Sequence, residues 1–178
     1  MSITPEKDIL PESLRDIAVQ MMIAARTAPK GRGKDTLSMM MAEGIAIQEL
    51  ATRMHEIGDE YDQQFFHRDA ENILLTTVVL LFGTSIDPLG LVKCGMCGFK
   101  NCDEKRKRPD VPCVFNTGDL GIAIGSAVST AMAHKVDNRI MYTVGQAAMS
   151  LGYFDPGVKI AYGIPLSATS KSPFFDRQ

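Results

Sequence analysis

Ile23-Ala24-Ala25-Arg26-Thr27-Ala28-Pro29-Lys30-Gly31-Arg32-Gly33-Lys34 carries an apolar stripe into a basic loop broken by one proline and two glycines. Behind it, Leu14, Ile17, Ala18, Met21, Met22 and Ala25 recur with the period of one helix face, and Pro11-Glu12-Ser13 reads as the helix start. Pro29 and the glycines end that helix. Ahead of the loop, residues 36–42 read as a buried strand, Gly44 breaks it, and residues 45–57 read as an amphipathic helix ending at Gly58.

The same reading extends along the chain. Residues 68–74 suggest a short helix, and residues 76–82 (TTVVLLF) are β-branched and apolar, as a buried strand requires. Residues 119–133 form a glycine- and alanine-rich helix. Gly118, Gly121 and Gly125 lie near one face of it, which would permit close packing against another backbone. Residues 139–151 read as a helix ending at Gly152, residues 158–164 as a last strand, and the tail SATSKSPFFDRQ as an extended arm. Helices and strands alternate irregularly, so the expected class is α+β rather than a doubly wound sheet. We expect a single domain over residues 1–178, with a cysteine-rich loop at about 90–115.

Composition narrows the function. A hydrophobic content of 45% and a charged content of 22% are those of a globular protein. A net charge of −2 gives no footprint for nucleic acid or an anionic membrane. The first 16 residues have neither a basic nor an apolar leader region, so no secretory signal is expected. The longest apolar run, residues 73–83, is far short of the roughly 20 residues a spanning helix needs. The expected location is therefore the cytoplasm, where clustered cysteines serve as metal ligands or redox thiols rather than disulfides. Met39-Met40-Met41 reads as core packing. His55, His67 and His134 are scattered and read as surface or core histidines. Asp59, Glu60 and Asp62 beside Tyr61 read as a solvated turn. There is no P-loop, no nucleophile elbow and no dinucleotide fingerprint.

All four cysteines fall within residues 94–113, as Cys94-Gly95-Met96-Cys97-Gly98-Phe99-Lys100-Asn101-Cys102 followed by Cys113. Four thiolates suit an iron–sulfur cluster or a structural zinc. The order C-x2-C-x4-C-x10-C, with glycine after the first two cysteines, favours the cluster. Glycines keep a ligand loop tight and leave N–H groups free to reach sulfide. Lys100, Lys105, Arg106, Lys107 and Arg108 lie between the third and fourth cysteines. They would offset the negative charge of the centre, attract an acidic redox partner, or simply be solvated. A zinc staple is the alternative. A nucleic-acid-binding knuckle is disfavoured, since no histidine sits between the cysteines and only Phe99 and Phe115 are near.

The cysteine order resembles the four-cysteine [4Fe–4S] domain of corrinoid iron–sulfur proteins and of some membrane ferredoxin-oxidoreductase subunits. That resemblance implies cluster ligation by Cys94, Cys97, Cys102 and Cys113, although the last gap is shorter here. The whole chain resembles the ferredoxin domain-containing family of anaerobic bacteria and archaea. The likeness includes the ending Gly163-Ile164-Pro165-Leu166 to Ser172-Pro173-Phe174-Phe175-Asp176-Arg177.

The segments flanking the cysteines are similar to the FMN-dependent nitroreductase family. Ile23 to Pro29 matches its AAxxAPS turn, and Val78–Phe82 a central strand. Gly118-Asp119-Leu120-Gly121 matches its D-x-G helix, Met149-Ser150-Leu151-Gly152 a helix end, and residues 160–165 the late strand ending in Gly-x-Pro. This implies a nitroreductase-like fold with the cysteine loop inserted, an intertwined homodimer, and FMN. Arg26, Lys30, Arg32 and Lys34 would serve the flavin phosphate and Arg177 would close over it. The family's N-terminal R-R-S-x-R is absent, Lys30 replaces the motif serine, and Gly33 stands in place of an asparagine. The alternative for the basic loop is a solvated helix C-terminus, which the macrodipole favours. The expected function is iron–sulfur electron transfer, in its fuller form a flavoenzyme coupling FMN to a [4Fe–4S] cluster. Its partner would be a redox protein or a small-molecule electron acceptor. The alternative is a non-catalytic, zinc-stapled or partner-docking protein on a degenerate flavin fold.

Overall fold

A computed structural model describes residues 3–175 of the chain. Helix α1 (Glu6–Thr27) leads through a 3-10 turn (Gly31–Gly33) to β1 (Leu37–Glu43), α2 (Ile45–Tyr61), α3 (Gln64–Leu74) and β2 (Val78–Ser85). After the cysteine segment and the short α4 (Cys102–Arg106) come α5 (Val114–Ala133), β3 (Asp137–Asn138), α6 (Tyr142–Ser150) and β4 (Val158–Ser167). The strands form one antiparallel sheet in the order β1-β2-β4-β3.

Strand β2 is central and buried on both faces. Its period of two sends Val79 and Leu81 into a core with Leu50 and Met54 of α2, Ile73 of α3 and Val144 of α6. The alternate residues Val78, Leu80 and Phe82 enter a second core with Met21 of α1 and Leu120 and Ala127 of α5. Helices therefore cover both faces of the sheet. The methionine run obeys the same alternation: Met40 packs on the first core, Met39 and Met41 on the second.

Several boundaries differ from the sequence reading. Helix α1 begins at Glu6, before Pro11, because Pro5 takes the N-cap at φ −60° and Glu6 and Asp8 supply first-turn acids. Gly58 does not end α2. It lies inside the helix under the ring of His67, and the helix ends at Asp62, which is left-handed at φ 51°. Asp59, Glu60 and Asp62 are exposed at the end of α2, as a solvated cluster should be, with Asp59 and Glu60 inside its last turn. Helix α5 starts at Val114, five residues before the expected Asp119, with Cys113 as N-cap. Helix α6 starts only at Tyr142, because Met141 forms a bridge to Gly163. Strand β4 runs on through Pro165 to Ser167; Pro165 falls between that bridge and the two-residue β3 pairing, where the outer ladder is interrupted. A Cβ added at Gly118, Gly121 or Gly125 would meet nothing within 4 Å, so among the described residues no backbone packs closely on that face.

Candidate functional site

Three regions carry polar chemistry: the basic loop after α1, the cysteine segment, and the C-terminal arm. In the basic loop each cation already has a partner. Arg26 Nη1 donates to Asp35 Oδ2 at 2.7 Å and to the Leu37 carbonyl at 3.3 Å. Lys30 Nζ turns back on α1 and donates to the carbonyls of Ala25, Arg26 and Ala28 at 3.2, 2.7 and 2.8 Å. It thereby satisfies carbonyls that the helix end leaves open. Arg32 donates to the Leu89 carbonyl at 3.2 Å, and Lys34 pairs with Asp87 at 2.5 Å. Burial pushes the Asp35 carboxyl up, but the Arg26 hydrogen bond, the Leu37 N–H and the charges of Arg26 and Lys30 together hold it below the usual range.

Two buried side chains of α5 fix this loop and the approach to the cysteines. Both carboxylate oxygens of Asp119 accept from the Gly31 N–H at 3.1 Å. One turn earlier, Asn116 accepts from the Asp87 N–H at 2.8 Å and donates to the Asp87 carbonyl at 3.1 Å. Both residues are buried, so α5 positions both loops from below. Arg177 lies outside the described residues.

In the cysteine segment, Cys94, Cys97 and Cys102 are half-buried free thiols and Cys113 is a buried one. Gly95 and Gly98, each directly after a cysteine, have φ of +77° and +86°, and the Gly98 N–H donates to the Gly95 carbonyl at 3.0 Å. A Cβ is disfavoured at those angles, so the glycines make the turn that carries the first two thiols. Cys102 opens α4, capped by Asn101, whose side chain accepts from the Glu104 N–H at 2.9 Å. Among the described residues, no group of three or more His, Cys, Asp or Glu side chains is arranged to hold a metal ion. The four thiols are nevertheless the donor set that an iron–sulfur cluster or zinc requires.

Lys105 stands apart from the other cations of this segment. It is 1% exposed, on α4 one turn after Cys102, and its Nζ donates to the Arg108 carbonyl at 2.9 Å. Its charge reaches Asp110, whose carboxylate is already bonded to Arg108. Arg106 pairs with Asp103, while Lys100 and Lys107 are exposed. A buried ammonium bonded to one carbonyl, with no carboxylate of the described residues at ion-pair distance, is expensive unless a further anion faces it. Sequence reading saw five equivalent cations here. Burial singles out one.

A large cavity lies elsewhere, between α3 and the C-terminal arm. It measures about 1000 Å³ and is lined by Arg68, Arg139, Thr169, Lys171, Ser172 and Phe174, among others. The arm is anchored by Phe174, which is buried in the first core, and by Arg139, which donates to the Phe174 carbonyl at 2.8 Å and lies over the Phe175 ring. Ser172 Oγ is buried without a hydrogen-bond partner. An orphaned hydroxyl and a cationic wall beside apolar surface suit an anionic ligand with a flat ring. FMN is such a molecule, and the cavity is large enough for it.

Residues 109–177 match the family described as an uncharacterised protein containing a ferredoxin domain (DUF2148), a span that includes Cys113. A protein of Archaeoglobus fulgidus, described as uncharacterised, is 40% identical over 97% of this chain and 96% of its own length. The chain belongs to this ferredoxin-domain family. Its fold is that of the nitroreductases. A nitroreductase family protein from Clostridium novyi NT superposes with a TM-score of 0.59 at 14% identity, over 91% of this chain and 77% of that one. A nitroreductase from Lactococcus lactis, in complex with nicotinic acid, gives 0.60 at 10% identity over 96% and 82%. A Desulfovibrio desulfuricans putative nitroreductase in complex with FMN gives 0.55 at 12% identity over 92% and 79%.

This ferredoxin-domain protein thus carries a nitroreductase fold. Asp119, the acid of the D-x-G helix, holds Gly31 of the turn that follows the AAxxAP motif. The structure also joins two histidines that the sequence separates by 12 residues, His55 and His67. No helix among the described residues is long and apolar enough to cross a membrane.

Proposed function

We propose that this protein transfers electrons through an iron–sulfur cluster bound by Cys94, Cys97, Cys102 and Cys113, and exchanges them with FMN held in the cavity beside the C-terminal arm. The observation that carries this reading is the buried ammonium of Lys105, bonded to a carbonyl rather than to a carboxylate, one turn from Cys102 and within a segment of four free thiols. A thiolate-ligated cluster is the anion that would answer it. When bound, the cluster supplies one-electron steps and the flavin one- or two-electron steps.

The chain's own residues have distinct tasks. Gly95 and Gly98 make the left-handed turn that carries the first two thiols, and Cys113 brings a thiol to the electropositive start of α5. Arg139 and Ser172 offer donors to the flavin's anionic and polar groups, while Leu75 and Phe174 give its ring an apolar wall. The exposed Lys100 and Lys107 suit an acidic redox protein, and a small-molecule electron acceptor is the other partner class. The open glycine face of α5 borders a groove of about 390 Å³ with Ile140 and Tyr162, and a second copy is the proposed occupant, giving a homodimer. A reducing cytoplasm suits the free thiols.

Anaerobic purification followed by iron, sulfide, zinc and flavin analysis tests the reading. The expected result is about four iron and four sulfide per chain, with FMN. Stoichiometric zinc without sulfide or flavin would overturn it and leave a zinc-stapled docking protein. Lys105→Met should retain the cluster and shift its reduction potential to more negative values, because the buried positive charge favours the more negative, reduced form. Light scattering of the holoprotein tests the dimer.

A further inference from the structure

His55 on α2 and His67 on α3 form a pair that the electron-transfer reading does not use. Their Nδ1 atoms lie 2.8 Å apart. The outer nitrogens face carboxylates: His55 Nε2 is 3.1 Å from Glu71 Oε1, and His67 Nε2 is 3.5 Å from Asp59 Oδ1. An ionised carboxylate only accepts, so an Nε2–H on each ring answers it, and a ring in that neutral tautomer presents a lone pair at Nδ1. Two such lone pairs facing each other at that distance repel. A cation between them, a proton or a metal ion, removes that repulsion.

We propose that this pair is a second metal site, taking a divalent ion of the zinc class through Nδ1 of His55 and Nδ1 of His67. Neutral imidazole suits zinc, copper and nickel. A carboxylate behind each ring is the support that ligating histidines use to fix tautomer and orientation. With zinc–nitrogen distances of about 2.0–2.1 Å, a tetrahedral site spaces its two nitrogens by about 3.4 Å, so the rings must part by about half an ångström. The side chains are 35% and 26% exposed, which leaves room for that movement and for water at the remaining coordination positions. Gly58 is part of the construction. A Cβ there would lie 2.7 Å from His67 Nε2, so only glycine lets the ring settle against α2. The site is separate in kind from the cysteines, since it offers nitrogen rather than sulfur donors.

Zinc chloride titrated into the reduced protein, followed by calorimetry and by long-range nitrogen–proton NMR of the imidazoles, tests this. The wild-type chain should bind one equivalent of zinc more than His55→Ala or His67→Ala. All share the same four cysteines, so thiolate-bound zinc cancels in the difference. Zinc should move the Nδ1 resonances of both histidines and leave Nε2 protonated. Glu71→Gln, which keeps both ligands, should weaken this equivalent by about ten-fold or more. Equal zinc stoichiometry in wild type and variants would overturn the proposal. So would Nδ1 resonances that respond to pH and not to zinc, which would leave a shared proton as the cation.

Discussion

The basic loop after α1 and the cavity beside the C-terminal arm both gather cationic side chains near the nitroreductase-type sheet, yet they differ in what those side chains have left to give. In the loop, Lys30 is committed to three helix carbonyls, Arg26 to Asp35, Lys34 to Asp87 and Arg32 to Leu89. At the arm, Ser172 Oγ is buried with no partner, beside a cavity large enough for a nucleotide. A phosphate entering the loop must displace existing bonds. One entering the arm cavity gains a bond that the chain alone does not make. Arg139 at the arm is likewise bonded, to the Phe174 carbonyl, so what separates the two regions is an unpartnered hydroxyl rather than unpaired charge.

The largest test of this contrast removes the platform under the arm. Gly145 of α6 lies so close to β4 that an added Cβ would stand 1.9 Å from the Ala161 carbonyl oxygen. Gly145→Ala should force α6 off the sheet and cost about 4 kcal/mol or more, a class of effect reserved for overpacked cores. A thermal melt should fall by roughly 10 °C or more, and flavin binding should go with it. A wild-type melting curve would show that α6 and β4 do not dock as closely as described.

Asp119→Ala acts on the other region. It removes the buried acceptor of the Gly31 N–H and should cost about 1–3 kcal/mol in urea unfolding. Flavin affinity should remain near that of the wild type, because the arm cavity is untouched. A collapse of flavin affinity at unchanged protein stability would move the cofactor to the loop.

The next pair of variants separates the regions directly. Arg139→Met removes a cavity donor and should weaken FMN about ten-fold or more in a fluorescence-quenching titration, since a bond to a charged group is worth about 1.5–3 kcal/mol. Lys30→Met should lower stability by about 1 kcal/mol through its lost helix-end bonds and change FMN affinity little. The reverse ranking would restore the basic loop as the phosphate site.

The two regions were also unequally legible in the sequence. The helix–loop–strand order around residues 23–43 follows from apolar period, proline and glycine, and local signals of that kind survive folding. The cysteines announce themselves by spacing. What spacing cannot convey is which of five cations near them is buried, because Lys105 differs from Lys107 only in the side of α4 it occupies. The arm cavity was illegible for a similar reason. Arg68, Arg139 and Ser172 are far apart in the chain and meet only when Phe174 inserts into the core. The His55–His67 contact likewise needs α2 and α3 to pack as a hairpin. The glycines of α5 are legible as a smooth face, and among the described residues nothing lies within 4 Å of a Cβ placed on them.

The smallest effect is a pH dependence confined to the loop. Asp35 has its carboxyl held below the ordinary range by Arg26, by the Leu37 N–H and by Lys30, against the upward push of burial. The native state therefore binds this proton less readily than the unfolded chain does. The resulting stabilisation is complete above the unfolded pKa near 4 and is lost as pH falls through the lower native value. Asp35 is about one-third exposed, so solvent screening limits the effect to a few tenths of a kcal/mol. Urea melts of wild type and Asp35→Asn should differ slightly at pH 7 and converge as the pH falls below the lowered native value. FMN affinity should not follow that change if the flavin sits at the arm, whereas a loop site would lose both together, since protonating Asp35 frees Arg26 and alters the charge that a loop-bound phosphate would meet.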